Sequence, residues 1–210
     1  PDHYHTLANG AYFSADGKRV LMWGGIDPPQ IWDSITGAPI GKSIDYKPNL
    51  DGVLLFKDGR RMLTWNGPDT FDTTANQSWS VRLWDVDSGT EIGTGIKPPE
   101  DIEAVLLPPD ESLILTLGEK VARLWDVDTG KQHGPEIVQG VGISGAAFSP
   151  DGSRVLAWST QVAVQWDVGT GKQVGPVRDQ NESLFGAKYS ADGRRIVTWG
   201  GEINIAAEYF

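Results

Sequence analysis

The chain contains no cysteine, so thiol catalysis and thiolate metal ligands are excluded. Histidines and carboxylates are therefore the first candidates for catalytic or metal-binding side chains. A nucleophilic triad needs a histidine as its base, and only His3, His5 and His133 are present. His3 and His5 would lie on one face of a strand and give two ligands of a metal site, but no third ligand accompanies them. The sequence therefore predicts no catalytic residue and no metal site.

Two short motifs resemble ion-binding and phosphate-binding loops. Asp85–Glu91 alternates carboxylates with other residues, but it lacks the spacing of the calcium loop. Gly41–Ser43 has the Gly-Lys-Ser ending of a phosphate loop, whereas Thr36 stands where that motif requires its leading glycine. Both stretches have the composition of ordinary turns, so we expect no cofactor.

The dipeptide Trp-Asp recurs along the chain at a nearly constant spacing. It occurs at Trp32-Asp33, Trp84-Asp85, Trp125-Asp126 and Trp166-Asp167. Successive copies are 52, 41 and 41 residues apart, and each is followed by a Thr-Gly or Ser-Gly turn. A fixed period of this length is the signature of a repeat architecture. The longer first step places an insertion of 11 residues in the loop Asn66–Ser80.

A second landmark, an Asp-Gly turn after an aromatic residue, accompanies the first. It occurs at Phe13–Gly17, Phe56–Gly59, Phe148–Gly152 and Tyr189–Gly193, with a degenerate copy at Pro108–Glu111. The unit is clearest in four segments of short or alternating apolar residues: Gly145–Phe148, Arg154–Trp158, Val162–Trp166 and Lys172–Pro176. Such segments between Gly, Pro and Asp predict antiparallel hairpins, and hence an all-β fold of repeated four-stranded sheets.

These landmarks together resemble the WD40 repeats, in the bacterial form with F-S-x-D-G before the second strand and T-G-K-x-x-G-P after the third. The resemblance covers essentially the whole chain in five copies, and it implies a β-propeller of four-stranded antiparallel blades. The chain lacks the Gly-His pair that precedes the first strand in better-known members of the family. The family's Asp-His-Ser-Trp hydrogen-bond network is therefore not assigned to these residues.

Residues 1–210 are interpreted as a single WD40-type domain or a fragment of one. The predicted blades are 10–44, 52–96, 104–137, 145–177 and 185–210, and residues 1–9 are the remnant of an outer strand. The last repeat has Ala207-Glu208 where Trp-Asp is expected, and it ends before a fourth strand. We favour a piece of a larger ring over five blades that close tightly or a ring completed by a second chain.

Eight of the nine tryptophans follow the repeat. Trp23, Trp65, Trp158 and Trp199 fall in second strands, and Trp32, Trp84, Trp125 and Trp166 fall in third strands. Their periodic placement predicts a core between neighbouring blades rather than an aromatic cage for a methylated lysine. Trp79 breaks the period and lies with Phe71 in the insertion. These two aromatic residues form either a small local core or a binding hot spot.

The net charge of −10 argues against a nucleic-acid surface and against attraction to anionic lipid. In the family's geometry, the loops from second to third strands and from fourth to first strands share one face; we name these the upper loops, and the other two kinds of turn the lower turns. The upper loops hold thirteen acidic residues: Asp27, Asp45, Asp51, Asp69, Asp72, Glu100, Asp101, Glu103, Glu119, Glu136, Asp179, Glu182 and Glu202. Against them stand four basic residues: Lys47, Lys97, Lys120 and Arg178. The excess either steers a basic partner to this face or serves solubility alone.

The resulting hypothesis is a non-catalytic module that presents an acidic face to a protein or peptide partner. The predicted contact residues are Phe71, Trp79, Asp69, Asp72, Glu100 and Asp101. The resemblance implies that such propellers often sit beside an effector domain, such as a kinase, a protease or a nucleotide-binding switch. One alternative is an enzyme or small-ligand receptor that uses the central channel, where Lys188 is the polar exception. Another is a structural protein that self-associates through its incomplete last blade at Ile203–Phe210.

Overall fold

The computed structural model describes residues 10–24, 27–44, 50–67, 78–179, 183–201 and 206–209. All regular structure in these ranges is β-strand. The chain divides into two compact units, Pro1–Pro99 and Glu100–Phe210, which we name the N-terminal and C-terminal units. The predicted all-β class is confirmed.

The N-terminal unit contains two four-stranded antiparallel sheets whose strands follow one another in chain order. The first sheet consists of β1 (Gly10–Phe13), β2 (Arg19–Gly24), β3 (Asp27–Asp33) and β4 (Pro39–Ile40). The second consists of β5 (Gly52–Leu55), β6 (Arg61–Asn66), β7 (Ser80–Asp85) and β8 (Thr90–Ile96). The β6–β7 connection contains the predicted insertion.

The C-terminal unit contains two further four-stranded sheets and one sheet with three described strands. The third sheet consists of β9 (Ala104–Leu106), β10 (Leu113–Leu117), β11 (Val121–Asp126) and β12 (Ile137–Val138). The fourth consists of β13 (Gly145–Phe148), β14 (Arg154–Trp158), β15 (Val162–Asp167) and β16 (Gln173–Asp179). The fifth consists of β17 (Leu184–Tyr189), β18 (Arg195–Gly200) and β19 (Ala206–Tyr209). These repeated antiparallel sheets are consistent with a propeller-like fold.

The Asp-Gly turns close the hairpins between first and second strands. In the fourth sheet, the Gly152 amide donates to the Ser149 carbonyl at 2.9 Å, with Gly152 at a φ of 74°. The Ser149 hydroxyl donates to Asp151 at 2.6 Å and accepts the Arg154 amide at 2.9 Å. Because a positive φ suits glycine, the repeat needs it there. In the third sheet Glu111 holds that position with a φ of 56°.

The Asp of each Trp-Asp pair organises the next turn. Asp167 accepts hydrogen bonds from the Thr170 hydroxyl at 2.7 Å and the Thr170 amide at 2.8 Å. These bonds hold the pKa of the Asp167 carboxyl below its usual range. Asp33, Asp85 and Asp126 make the same pair of bonds with Thr36, Ser88 and Thr129. These carboxylates serve the turns, as the composition of the repeat predicts.

Apolar side chains fill the spaces between successive sheets within each unit. In the N-terminal unit, buried residues such as Leu21 and Val53 form one core with Trp23 packed against it. In the C-terminal unit, one core joins the third and fourth sheets around Leu115 and Val155. A second core joins the fourth and fifth sheets, where Trp158 packs against a cluster of buried residues.

The second-strand tryptophans each cover a glycine of the first strand in their own sheet. The four pairs are Gly10–Trp23, Gly52–Trp65, Gly145–Trp158 and Gly186–Trp199. A β-carbon on Gly145 would stand 2.5 Å from the Trp158 ring, so no larger residue fits. The third-strand residues Trp84 and Trp125 are 3% and 8% exposed, which agrees with the predicted core role. Trp199 is 43% exposed and departs from that prediction.

The described residues contain no helix, and thus none with the length and apolarity that a membrane span requires.

Candidate partner-binding surface

The long β6–β7 loop rises from a hydrogen-bonded stem. The Asp51 carboxylate, just before β5, accepts the Gly67 amide at 2.6 Å. The Asn66 side chain donates to the Gly67 carbonyl at 3.1 Å and accepts the Ser80 hydroxyl at 2.8 Å. Asn66 and Ser80 are also paired across the two strands. These bonds fix both ends of the loop to the second sheet.

Trp79 completes this stem from the other end of the loop. Its half-buried indole lies against Gly67, where an added β-carbon would be 3.0 Å from the ring. That contact is the one expected of a small local core. Asp69, Phe71 and Asp72 lie outside the described residues.

Glu100 and Asp101 precede β9 in the C-terminal unit, whereas the β6–β7 loop belongs to the N-terminal unit. One Glu100 oxygen accepts a hydrogen bond from the Arg123 guanidinium. The same guanidinium donates to Glu136 at 2.5 Å, and the Arg123 side chain is only 13% exposed. Glu100 is therefore engaged in an ion pair of its own unit, whereas Asp101 is exposed.

Arg123 is the residue that the sequence reasoning missed. It lies inside β11, so a count of loop charges does not include it. A signal was present, because Arg82 and Arg123 both stand two residues before Trp-Asp. Arg82 also faces an acid, Glu91, at 3.8 Å. Arginine at this position of the repeat thus pairs with a carboxylate of the same sheet or its flanking loop.

Several upper-loop acids have partners within the described part of the chain. Besides Asp51, Glu100 and Glu136, the Glu119 carboxylate lies 3.9 Å from the Lys120 ammonium. Internal pairing reduces the charge that these acids present to solvent. The count of loop charges already includes Lys120 but omits Arg123, so the Arg123 guanidinium lowers the negative charge of Glu100 and Glu136 below what that count implies.

The described residues hold no group of three or more histidine, aspartate or glutamate side chains that could bind a metal ion. His133 is exposed in the turn after β11, and His3 and His5 lie outside the described residues. Lys188 is exposed on β17. The described part of the β6–β7 surface consists of the hydrogen-bonded Asp51 carboxylate, the Asn66 side chain and the half-buried Trp79 ring.

No family model and no curated protein matches this chain. Among solved structures, the crystal structure of the computationally designed Ika8 protein resembles it with a TM-score of 0.74 and 12% sequence identity. The alignment covers 100% of this chain and 60% of the designed chain, so this chain spans about 60% of that protein's length. At this identity the likeness concerns the fold alone.

Proposed function

We propose that this chain is a WD40-type β-propeller module that binds a protein partner through its β6–β7 loop and catalyses no reaction. The observation that carries the proposal is the stem, in which the Asp51 carboxylate holds the Gly67 amide at 2.6 Å beneath the Trp79 ring. Binding residues are often found on loops that a rigid scaffold positions. The insertion of 11 residues supplies such a loop in one repeat only.

The WD40 assignment rests on the repeat landmarks and on the way the structure uses them. Two third-strand tryptophans donate hydrogen bonds to second-strand threonines, Trp84 to Thr64 and Trp125 to Thr116. The recurring aspartates cap turns. These polar residues of the repeat form hydrogen bonds within the fold. We therefore place the binding residues on the loop that differs between repeats.

The composition of the loop indicates the kind of partner. Phe71 and Trp79 are aromatic residues of the type that anchor protein interfaces. Asp69 and Asp72 add negative charge to the same stretch of sequence and would attract a basic segment. The partner is thus a protein or peptide that carries lysine or arginine next to an apolar residue.

A labelled, capped decapeptide of alternating lysine and glycine tests the charge preference in this proposal by fluorescence anisotropy. We expect saturable binding that weakens as salt rises, because exposed charges are screened. The double variant Asp69→Lys/Asp72→Lys should bind about tenfold more weakly or worse. The control Asp87→Lys/Asp128→Lys makes the same change in net charge at lower turns and should bind as the original does. Because it also removes the Arg19–Asp87 ion pair, urea unfolding verifies that this variant is folded. Binding that is insensitive to salt, or equal in both double variants, would argue against the proposal.

Self-association is a second candidate, favoured by the fifth sheet. Phe185 and Trp199 on its strands are 68% and 43% exposed, and an exposed apolar face often marks an interface. We propose a second copy of this chain as the occupant. Sedimentation equilibrium at several concentrations should give a dimer mass that falls to the monomer mass in Phe185→Ser. A monomer at all concentrations excludes this candidate.

A further inference from the structure

A cavity of about 460 Å³ opens at the lower turns of the C-terminal unit. It lies between the β13–β14 turn and the β17–β18 turn. Its walls include Pro150, Asp151 and Arg154 from the fourth sheet and Asp192, Gly193 and Arg194 from the fifth. A volume of this size accommodates a small organic group rather than a single ion.

Arg154, which lines this cavity, differs in its contacts from the equivalent arginine of the N-terminal unit. Arg19 occupies the same repeat position, and its guanidinium donates to the Gly59 carbonyl of the next sheet at 2.6 Å. It also lies 3.7 Å from Asp87. These contacts tie the second sheet's turn to the first sheet.

In the C-terminal unit the glycine equivalent to Gly59 is Gly193. The residue that approaches Gly193 is Pro150, whose ring would lie 3.4 Å from an added β-carbon. Within the described residues, the Arg154 side chain has neither a hydrogen bond nor an ion pair, and it lines the cavity instead. A partly buried guanidinium without a bonded acceptor is a recognition group for an anion.

The carboxylates near Arg154 are committed to turns. Asp151 accepts from the hydroxyls of Ser149 and Ser153 at 2.6 and 2.8 Å. Asp192 accepts from the Ser190 hydroxyl at 2.5 Å and from the Arg194 amide at 3.1 Å. Asp167, opposite Arg154 on β15, is bound by Thr170. Each acid therefore stays charged. Arg154 attracts Asp167 and Arg194 attracts Asp192 electrostatically. Among the described residues, however, none of these acids accepts a hydrogen bond from either guanidinium, so both guanidinium groups keep donors for a ligand.

We infer that this cavity binds the carboxylate of an acidic peptide segment, held by the guanidinium groups of Arg154 and Arg194. A planar carboxylate matches a guanidinium through two parallel hydrogen bonds. The Pro150 ring offers an apolar contact for the methylene groups next to that carboxylate. The aspartates in the wall disfavour a doubly charged anion such as phosphate, because like charges repel at short range.

This site differs from the proposed loop surface in position and in charge preference. It lies at the lower turns and selects an acidic ligand, whereas the β6–β7 loop is proposed to select a basic one. Either inference can fail without the other.

The test uses nuclear magnetic resonance with N-acetylglutamate amide as the probe. Titration should shift the side-chain Nε–Hε signals of Arg154 and Arg194 in a saturable way. N-acetylglutamine amide has the same shape without the charge and should shift neither signal. Arg154→Gln should weaken binding about tenfold or more, as expected for the loss of charge-assisted hydrogen bonds.

Arg19→Gln is the matched control. It removes the equivalent arginine of the N-terminal unit, so it should lower the unfolding midpoint and leave probe binding unchanged. Arg154→Gln should weaken probe binding and leave the unfolding midpoint nearly unchanged, since the Arg154 side chain makes no hydrogen bond or ion pair with a described residue. The inference is overturned if the two probes shift the signals equally, or if Arg154→Gln binds the probe as tightly as the original protein. Tighter binding of inorganic phosphate than of N-acetylglutamate amide would likewise overturn the assignment to a carboxylate.

Discussion

The indole nitrogen of Trp84 donates a hydrogen bond of 2.9 Å to the hydroxyl of Thr64 inside the second sheet. Trp125 and Thr116 form the same bond, also at 2.9 Å, in the third sheet. In the fourth sheet the equivalent pair is Trp166 and Ala157, and the buried Trp166 nitrogen has no partner among the described residues. The second and third sheets thus show which acceptor the Trp166 indole nitrogen lacks in the fourth sheet, namely a threonine hydroxyl on the neighbouring strand.

Ala157→Thr should stabilise the chain by about 0.5–1.5 kcal/mol, because it gives the Trp166 nitrogen the acceptor that two other sheets possess. The measurement is the free energy of unfolding in urea. Ala157→Val is the control, since valine has the shape of threonine without the hydroxyl. A valine variant as stable as the threonine variant would show that packing, and not the hydrogen bond, is responsible.

Gly145→Ala should destabilise the chain by about 1–3 kcal/mol, because the new methyl group would overlap the Trp158 ring. Gly140→Ala is the matched control: it lies in the same unit, and an added β-carbon there would meet nothing within 4 Å. Urea unfolding of both variants compares a crowded glycine with an open one. Equal stability of the two variants would contradict the glycine–tryptophan packing.

The positions of many strands could be predicted from the sequence, because turns rich in Gly, Pro and Asp delimit short apolar segments. β13 and β14 have the predicted bounds. The partner of each second-strand tryptophan could not be predicted, since it depends on strand register. The third sheet illustrates the dependence on register. Ala104 and Leu117 are paired there, at the position where the other sheets pair glycine with tryptophan. A larger first-strand residue faces a smaller second-strand residue there.

Glu111→Gly should raise the free energy of unfolding by up to about 1 kcal/mol, because Glu111 adopts a φ of 56° where the equivalent turns have glycine. The entropy that glycine adds to the unfolded chain offsets part of this gain. Gly152→Ala is the reverse test at the same turn position, with a φ of 74°, and should cost about 1–2 kcal/mol. If Glu111→Gly and Gly152→Ala change the free energy of unfolding in the same direction, the positive φ of Glu111 does not strain the turn.

Acid should destabilise the fold through its turn aspartates. Bonds from Ser149 and Ser153 lower the pKa of Asp151 to about 2. Because this pKa is lower in the folded than in the unfolded chain, the stability that Asp151 contributes is complete above about pH 4 and is lost as the pH falls towards 2. Lowered pKa values also occur at Asp16, Asp33, Asp58, Asp85, Asp126, Asp167 and Asp192.

Urea midpoints measured between pH 7 and pH 2.5 should therefore fall mainly below pH 4. Ser153→Ala removes one of the hydroxyl donors to Asp151 and should raise the pKa of that carboxyl towards its usual value, as followed by carbon-detected nuclear magnetic resonance. A midpoint that stays constant down to pH 2.5 would show that the turn hydrogen bonds do not favour the ionised form.

The candidate surface was predictable only in part, and the reason is physical. The insertion was visible as a longer step between repeats. Which loop acids remain unpaired was not visible, because pairing depends on side chains from strands. Glu100 illustrates this, since Arg123 of β11 occupies one of its oxygens. The sequence also treats Arg19 and Arg154 alike, whereas only Arg19 bonds to a carbonyl of the next sheet.

The β6–β7 loop itself offers the most direct test of the proposed function. In the decisive variant, one glycine replaces residues 68–77, while Gly67, Trp79 and the stem remain. Anisotropy of the lysine–glycine decapeptide compares this variant with the original protein, and urea unfolding verifies that both are folded. The account predicts an unchanged unfolding midpoint and loss of peptide binding. Undiminished binding by the folded, shortened protein would contradict it.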